Sequence, residues 1–577
     1  MSAVLEVNDR SAKYLRVLPP KLVQHFEQIA TAPGSVALLR ELILALAVQG
    51  KLVRQDSHEE SANGTLERSR AEMRERMQEG KAKREKPSAV IVDEELPFSL
   101  PCGWQWCRLT DTGEYVNGLA FKASDFLPCG LPVIRIQNLS GRSSEFNRVD
   151  GVFPASVLVR AGDILVSWSA TLDAFIWRGE SGVLNQHIFR VEPSPAVDKG
   201  FLYWLLKWAI RDLAASDHAH GLVMSHINRG PFLSKPIGLP PLAEQSRIVA
   251  RIEELMRLCD ALESKGQLEA AQHAQLVQTL LGALTTSNSP KELADNWQRV
   301  ATHFDLLFDR PEAIDALEQT IQQLAVRGLL VAQDPHDEPA RELLKKIRAE
   351  KDRLIAEGVI KPDKLLPSTT LLDKPFVVPE NWEWCRLVDV ALRGPTNGLS
   401  PRPTDTPTDV RCLSLSATTQ GFFRPECFKY VEIQAAEAEP FRLERGDLLI
   451  QRGNSLDYVG IAALYDGPDG AYIFPDLMMR LRLSHLVEAA YVHMALVCNE
   501  GRDYFKRNAT GTQGTMPKVN QATVGGAPLP LPPAAEMLRI VARVASLRSL
   551  CADLRQRLVA RQSTQAHLAE ALIDEVA

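Results

Sequence analysis

Two stretches of the chain carry apolar residues at alternating steps of four and three, the spacing of a packed helix face. These residues are Ile248, Ile252, Leu255, Cys259 and Leu262 in the first stretch, and Ile540, Val544, Leu547, Cys551, Leu554 and Leu558 in the second. We expect helices that run to about Leu284 and Leu572, each roughly 50 Å long at about 1.5 Å per residue. Antiparallel packing of these helices as a spacer is the favoured interpretation, and a helical hairpin in an ordinary core is the alternative.

Two other segments, about 110–240 and 388–531, hold short β-like runs separated by Gly and Asn turns. Compact mixed α/β domains are expected there. Most of the remaining chain is predicted to be helical. The shorter helical segments are 25–56, 65–86, 303–334 and 339–358.

The chain contains an internal repeat. At a constant offset of 278 the matches are Leu46-Ala47-Val48-Gln49-Gly50 with Leu324-Ala325-Val326-Arg327-Gly328, Gln55-Asp56 with Gln333-Asp334, and Trp104–Leu109 with Trp382–Leu387. At a constant offset of 292 they are Leu239-Pro240-Pro241 with Leu531-Pro532-Pro533, and Arg247–Arg251 with Arg539–Arg543. Between these blocks the offset slides, and the second copy gains 14 residues. A repeated frame around divergent inserts predicts pseudo-two-fold symmetry; two tandem domains without symmetric packing are the alternative.

Composition and charge narrow the class of protein. The chain has 577 residues, 45% of them hydrophobic, and a net charge of −6. An acidic balance argues against a free-standing DNA binder, because phosphate contacts favour basic proteins. It is compatible with a DNA-binding protein that relies on partner subunits for part of its phosphate contacts. No apolar run is long enough to span a bilayer and no signal pattern is evident, so we expect a cytoplasmic protein.

The sequence carries no evident catalytic site. The nine cysteines are scattered, and neither Cys102 with Cys107 nor His218 with His220 has the partners that a zinc site needs. A phosphate loop for ATP is missing, and the Pro-Pro pairs do not fit a methyltransferase motif. We therefore expect no cofactor, no metal and no enzymatic activity. Pro362-Asp363-Lys364 is interpreted as linker and not as part of a nuclease motif.

The order of several motifs resembles the specificity subunit of Type I restriction–modification systems. The first copy has Gly162-Asp163-Ile164-Leu165, Asn185-Gln186, and Leu239 to Gln245 followed by Arg247 to Ala250. The second copy has Gly446 to Leu449 and Leu531 to Glu536, but it has Met537 where the first has Gln245, and Phe474-Pro475-Asp476 near the place of the Asn-Gln pair. The Trp-x-Trp-x-Arg-Leu segments resemble the branch with a long N-terminal conserved region. The resemblance covers nearly the whole chain.

This resemblance implies an α+β protein in which two mixed α/β target-recognition domains are joined by two long antiparallel coiled-coil-like helices. The implied bounds are 1–92 for an N-terminal helical region, 93–245 for the first recognition domain, 246–370 for a central conserved region, 371–536 for the second recognition domain, and 537–577 for the C-terminal spacer helix. Each recognition domain would read one half of an asymmetric bipartite site on double-stranded DNA. The frame would dock two methyltransferase subunits, to which restriction (translocase) subunits attach, in a system of phage defence.

Side-chain chemistry gives the candidates for DNA contact, because Arg and Lys pair with guanine, Asn and Gln with adenine, and hydroxyls with the backbone. In the first insert they are Asn117, Lys122, Arg135, Gln137, Asn138, Ser169, His187, Ser225, His226 and Asn228. In the second they are Asn397, Arg411, Gln451, Arg452, Asn454, Ser455, Gln513, Lys518 and Asn520. For each of them, turn chemistry or an ordinary surface position is the alternative, and the matched Asn228 and Asn520 favour a shared structural or phosphate role.

Two other functions compete with DNA reading. A protein-interaction scaffold built on a coiled coil would bind partners without DNA specificity. An unrecognised enzyme would show activity as the isolated chain.

Overall fold

The computed structural model describes most of the chain as two compact units. The described residues are 32–78, 90–215, 228–287, 289–360, 374–511 and 516–576. Unit 1 comprises Met1–Glu269 and Arg561–Ala577, and unit 2 comprises Ala270–Ala560. The ends of the expected helical segments 25–56 and 65–86, and most of the expected linker after Pro362, lie outside the described residues.

Unit 1 places two helices before a sheet domain and starts a long helix after it. Its elements are α1 (Ser35–Val48), α2 (Ala62–Gln78), β1 (Gln105–Arg108), β2 (Gly113–Asn117), β3 (Leu131–Ile134), α3 (Ile136–Leu139), β4 (Arg148–Val149), β5 (Leu158–Val159), β6 (Ile164–Ser167), β7 (Asp173–Ile176), β8 (Gly182–Leu184), β9 (Ile188–Pro193), α4 (Lys199–Ala215), α5 (Arg229–Ser234), β10 (Pro236–Leu239) and α6 (Leu242–Thr285).

Unit 2 repeats this order after further helices. Its elements are α7 (Pro290–Thr302), α8 (Phe304–Leu307), α9 (Pro311–Val326), α10 (Ala340–Ala356), β11 (Glu383–Arg386), β12 (Ala391–Asn397), β13 (Arg402–Thr404), β14 (Arg411–Leu413), β15 (Phe428–Glu432), α11 (Ala435–Ala438), β16 (Leu448–Gln451), β17 (Ala462–Leu464), β18 (Tyr472–Ile473), β19 (Met478–Leu483), α12 (Ala489–Val497), α13 (Asn499–Asn508), α14 (Gln521–Gly525), β20 (Pro528–Leu531) and α15 (Ala534–Val576).

The two sheet domains share the order of one sheet and a three-stranded core of the other, β4-β3-β8 in unit 1 and β15-β14-β18 in unit 2; the fourth strand, β5 or β13, lies at opposite edges of that core. An antiparallel sheet has the order β2-β9-β6-β7 in unit 1 and β12-β19-β16-β17 in unit 2. A second sheet has the order β4-β3-β8-β5 in unit 1 and β13-β15-β14-β18 in unit 2, and each contains one parallel pair, β3–β8 or β14–β18. Strand β13 lies at the edge of its sheet and belongs to the longer second insert. The expected α+β class with two sheet domains and a repeated frame is confirmed.

The chain enters and leaves each sheet domain through one pair of strands. In unit 1 β1 pairs with β10, so that Gln105 lies opposite Leu239. In unit 2 β11 pairs with β20, so that Glu383 lies opposite Leu531. This pairing explains why the Trp-x-Trp-x-Arg-Leu and Leu-Pro-Pro motifs keep their spacing to the frame while the residues between them diverge.

A buried carboxylate joins the frame to each strand pair. In unit 1 the Oε1 atom of Glu244 accepts hydrogen bonds from Trp104 Nε1 at 3.1 Å and Gln55 Nε2 at 3.2 Å. In unit 2 Trp382 Nε1 donates to Oε2 of Glu536 at 2.9 Å and Gln333 Nε2 donates to Oε1 at 2.6 Å. Each carboxylate is 1% exposed.

Burial also shifts the ionisation of these two glutamates. Burial raises the pKa of both glutamates above the ordinary value, while the two donors and a nearby arginine, Arg247 or Arg539, favour the charged form.

Gly50 and Gly328 both adopt positive φ, and a Cβ atom at either position would lie within 2.5 Å of a proline side chain. Alanine would therefore be strained and crowded at both sites.

Each of the long helices α6 and α15 begins in one unit and ends in the other. Helix α6 has 44 residues, begins in unit 1 and ends in unit 2, whereas α15 has 43 residues, begins in unit 2 and ends in unit 1. The unit boundaries fall within largely exposed stretches of both helices. Their side-by-side antiparallel packing and the five domain bounds stay predictions.

The apolar positions at the start of each long helix lie in the core of their own unit. Ile248, Ile252 and Leu255 are buried in the unit 1 core, and Ile540 and Val544 in the unit 2 core. The partly buried seam positions are Leu262, Leu547 and Leu554. Every residue of α6 from 263 to 272 is exposed, which matches the predicted weakening of the seam in mid-helix.

We predict that Glu536→Gln lowers the free energy of unfolding by about 1–3 kcal/mol, the cost of one buried donor without an acceptor. The reason is that Trp382 and Gln333 use different oxygens of Glu536, and an amide can offer only one. Glu244→Gln is the matched control, because both donors of unit 1 share one oxygen. Chemical denaturation measures both variants, and equal destabilisation would contradict the assignment.

The candidate nucleic-acid interface

In each unit, the loops at one end of the antiparallel sheet form a surface that is here called the polar edge. In unit 1 it comprises Asn117–Leu119, Ser167–Asp173, Asn185–Ile188 and Asn228, because Ser167 lies opposite Ile188 and Asn117 opposite Phe189. In unit 2 it comprises Asn397–Leu399, Gln451–Ser455, Phe474–Met478 and Met516–Asn520, with Gln451 opposite Met478 and Asn397 opposite Met479.

The Asn-Gly pairs of the sequence lie where the two sheets of a domain meet. A Cβ atom on Gly118 would lie 2.3 Å from the carbonyl oxygens of Leu184 and Asn185. A Cβ atom on Gly398 would lie 2.1 Å from the oxygen of Phe474. Only glycine permits this approach. Phe474-Pro475-Asp476 thus takes in unit 2 the place that Leu184-Asn185-Gln186 has in unit 1.

The Gly-Asp motifs anchor the opposite end of the same sheets. Asp163 accepts hydrogen bonds from the backbone of Arg160 and from Arg190 Nε at 2.8 Å. Asp447 is 1% exposed as a side chain and pairs in the same way with Arg482 at 2.9 Å. This motif therefore holds the turn before β6 or β16 and lies away from the polar edge.

In unit 2 the polar edge is fixed by a buried glutamine. Gln451 is fully buried, and its Nε2 atom donates to Leu415 O at 2.8 Å and Thr418 Oγ1 at 2.9 Å. Its Oε1 atom accepts from Asn454 Nδ2 at 2.7 Å. Gln451 and Asn454 thus use their polar atoms to shape the loop.

Backbone hydrogen bonds join this loop to the segment before α14. Val519 N donates to Arg452 O at 2.8 Å, and Asn454 N donates to Pro517 O at 3.3 Å. Gly453 and Lys518 form an isolated β-bridge. The side chains of Ser455 and Lys518 are exposed and that of Arg452 is partly exposed, so these three can meet a ligand.

In unit 1 the corresponding turn is built differently. Ser167 is buried, and its hydroxyl donates to the backbone oxygen of Ser169, which is 5% exposed. His187 is partly buried, with its ring 5.2 Å from that of Trp168. Asn117 is exposed at the end of β2. The two polar edges thus share a backbone plan and differ in side chains.

Several candidates hold local structure. Asn138 accepts from Arg135 N at 3.1 Å and donates to Glu145 O at 2.8 Å, which fixes the turn after β3. Asn520 caps α14 through a 2.8 Å bond from Thr523 N, and Asn228 precedes α5 in the matching place. These contacts favour the structural alternative for Asn138 and Asn520.

The remaining candidates occupy varied positions. Gln137 and Lys122 are exposed. Arg411 stacks over Tyr472, 4.6 Å from the ring centre, at the start of β14 and so at the far end of that strand from the polar edge. Ser225, His226 and Gln513 lie outside the described residues.

The candidates chosen from sequence omit several residues that lie on or beside the polar edges. Trp168 and Thr171 occupy the positions of Arg452 and Ser455 at the offset of 284 that the Gly-Asp motifs set. Arg229 lies over the ring of Phe189, and Arg502 Nη2 donates to Asp457 O at 2.9 Å, which supports the loop after Ser455. The offset alone could have found Trp168 and Thr171.

The described residues offer little for metal or thiol chemistry. No three His, Cys, Asp or Glu side chains among them converge as a metal site requires. Burial raises the pKa of Cys412 and of Cys498 to about 12, so both thiols are protonated at neutral pH. None of the described helices combines the length and apolar character needed to cross a bilayer.

Comparison with known proteins identifies the class. Residues 101–272 match the model of the Type I restriction modification DNA specificity domain. The chain is 33% identical to the Type I restriction enzyme EcoEI specificity subunit of Escherichia coli and 34% identical to the EcoAI specificity subunit of the same species. Each similarity covers 93% of this chain and 93% of the relative. The chain therefore belongs to the Type I restriction enzyme specificity subunits.

Solved structures give more distant similarities. One is the HsdS subunit from Thermoanaerobacter tengcongensis, 16% identical, with a TM-score of 0.34 over 84% of this chain and 98% of that chain. Another comes from a structure of complex assembly in a type I R-M system, 16% identical, with a TM-score of 0.43 over 83% of this chain and 99% of that chain.

We predict that Gln451→Leu destabilises the protein by about 1–3 kcal/mol, since it leaves Asn454, Thr418 and the Leu415 carbonyl without their partner. Backbone amides in the segment 452–455 should exchange with deuterium faster than in the wild type. Ser455→Ala is the control, because that side chain is exposed. Unchanged exchange in the Leu variant would contradict the bracing role of Gln451.

Proposed function

We propose that this chain reads an asymmetric bipartite site on double-stranded DNA, with one half-site for each sheet domain. The supporting observation is the pair of sheet domains with closely similar topology and different polar edges, held in a repeated frame. Equivalent frames present both readers in equivalent ways. Different edges select different bases.

The side chains of the polar edges support direct readout by loops. In unit 2 Arg452, Ser455 and Lys518 stand on a loop that internal hydrogen bonds hold in place. Such preorganisation lowers the entropy lost on binding. Arginine suits the guanine edge, serine can bond to a base edge or to a phosphate, and lysine suits phosphates. In unit 1 we propose Asn117, Arg135, Gln137, His187 and Asn228 as contacts.

Partner subunits supply what the chain lacks. We propose that the repeated frame docks two methyltransferase subunits and, through them, restriction subunits. The net charge of −6 supports this, because a reader that grips phosphates by itself is usually basic. A protein scaffold without DNA specificity is not favoured, since the relatives at 33–34% identity are specificity subunits.

We predict that Arg452→Ala and Ser455→Ala relax the base preference in one half-site and leave the other half-site unchanged. The reason is that both side chains belong to the second sheet domain. The measurement is selection from a randomised DNA library by the chain assembled with its methyltransferase subunits. Relaxation of both half-sites would contradict the assignment of one reader to each half.

We predict that Lys518→Ala weakens binding to all sequences alike and lowers the slope of log K against log salt by about 0.9, the value for one phosphate contact. Lys345→Ala on α10 is the matched control, since this lysine is 71% exposed in the helical frame. A changed base preference without a changed salt slope would assign Lys518 to a base.

We predict that removing seven residues from each long helix shortens the unread gap between the half-sites by about three base pairs. Seven residues amount to about 10 Å of helix, and base pairs are about 3.4 Å apart. Suitable deletions are 264–270 and 559–565, in the largely exposed stretches. Selection from libraries with variable gaps measures the result.

A five-residue deletion from each helix is the control, because it turns the helix faces by about 140° and so breaks their register. The seven-residue variant should keep both half-sites and change only the gap. A new base preference with an unchanged gap would contradict the spacer role.

A further inference from the structure

The turn after β6 contains an unusual group of buried polar atoms. This turn runs from Trp168 to Leu172 on the polar edge of unit 1, and the ring of His187 lies beside it, 5.2 Å from that of Trp168. Trp168 Nε1, Thr171 Oγ1 and His187 Nδ1 are all buried and have no hydrogen-bond partner among the described residues. Most buried polar atoms in native proteins are paired. Three unpaired atoms around one turn therefore indicate groups kept for a ligand.

The backbone of the same turn is strained. Ala170 has a φ of 60°, and among the described residues it is the one non-glycine residue with positive φ. Alanine disfavours this region because its Cβ crowds the following carbonyl. Strain of this kind is concentrated at binding and switching segments. A turn that gives up this conformation on binding regains the free energy stored in it.

The chemistry of the three atoms is defined by their surroundings. The side-chain nitrogen of Gln186 lies 3.1 Å from His187 Nε2. An amide nitrogen can only donate, so Nε2 accepts and Nδ1 carries the ring hydrogen. Trp168 Nε1 is also a donor, and the Thr171 hydroxyl can donate. The group thus offers hydrogens to a partner rich in acceptors.

We infer that Trp168, Thr171 and His187 recognise a guanine in the half-site of the first sheet domain. Guanine presents two adjacent acceptors, O6 and N7, in the major groove, whereas adenine presents one acceptor beside a donor. Because the three atoms are buried, the turn shifts on binding and Ala170 leaves the left-handed region. This inference rests on the proposed function and adds the base and the residues that read it.

The second sheet domain provides the contrast. The positions of Trp168, Thr171 and His187 are taken there by Arg452, Ser455 and Leu477. Its loop is braced by Gln451, with no strained residue, and Asn397 Oδ1 is the one buried side-chain atom without a partner among the described residues of its polar edge. The first reader therefore rearranges on its half-site, while the second is already formed.

The test uses Thr171→Val and Trp168→Phe in the full chain assembled with its methyltransferase subunits. Valine keeps the shape of threonine and removes an unpaired buried hydroxyl, so the variant should fold with unchanged or higher thermal stability. Selection from a randomised library should give guanine at one position of the first half-site with the wild type. Each variant should lose about fivefold or more of that preference, with the other half-site unchanged.

A second measurement replaces the selected guanine with 7-deazaguanine, which lacks N7. It should weaken binding of the wild type about fivefold or more and that of Trp168→Phe much less. Ser455→Ala is the control, because its effect should fall in the other half-site.

Two outcomes would overturn the inference while leaving the proposed function intact. One is a bipartite site whose first half has no guanine that depends on these residues. The other is equal weakening of all sequences, which would mean phosphate contact. If the wild-type complex selects no bipartite site at all, the proposed function itself fails.

Discussion

A buried carboxylate between a tryptophan and a glutamine organises each half of the molecule. Glu244 lies in the first turns of α6 and Glu536 in those of α15, and each receives hydrogen bonds from an entry strand and from the frame. Without the two donors, a buried charge would be costly. The long helix, the sheet domain and the preceding helices therefore have to meet at one point, and this requirement accounts for the rigid offsets of the repeat.

The sequence predicted the frame well because its motifs are the residues that make these contacts. Trp104 and Trp382, Gln55 and Gln333, and the two glycines at positive φ all recur at one spacing. The Gly-Asp motif was predictive for the same reason, since Asp163 and Asp447 fix equivalent turns. The internal repeat therefore marked the residues that fix equivalent backbone positions in the two units.

The polar edges were harder to predict, because polar residues there serve two roles that look alike in sequence. Gln451 and Ser455 stand four positions apart, yet Gln451 is fully buried as a brace and Ser455 is exposed. Asn138 and Asn520 proved to hold turns. Trp168 was not among the candidates, since an indole gives no sign in sequence that its N–H lacks an acceptor. Only the three-dimensional surroundings separate these roles.

The pairing of β1 with β10, and of β11 with β20, has a consequence for how such proteins evolve. Paired strands lie about 5 Å apart, so the two ends of each insert sit side by side. A gene segment between these strands could be exchanged for another of different length without moving the frame, and strand β13 shows that extra residues are accommodated. New sequence preferences can therefore arise by recombination, while the frame that holds both sheet domains stays unchanged.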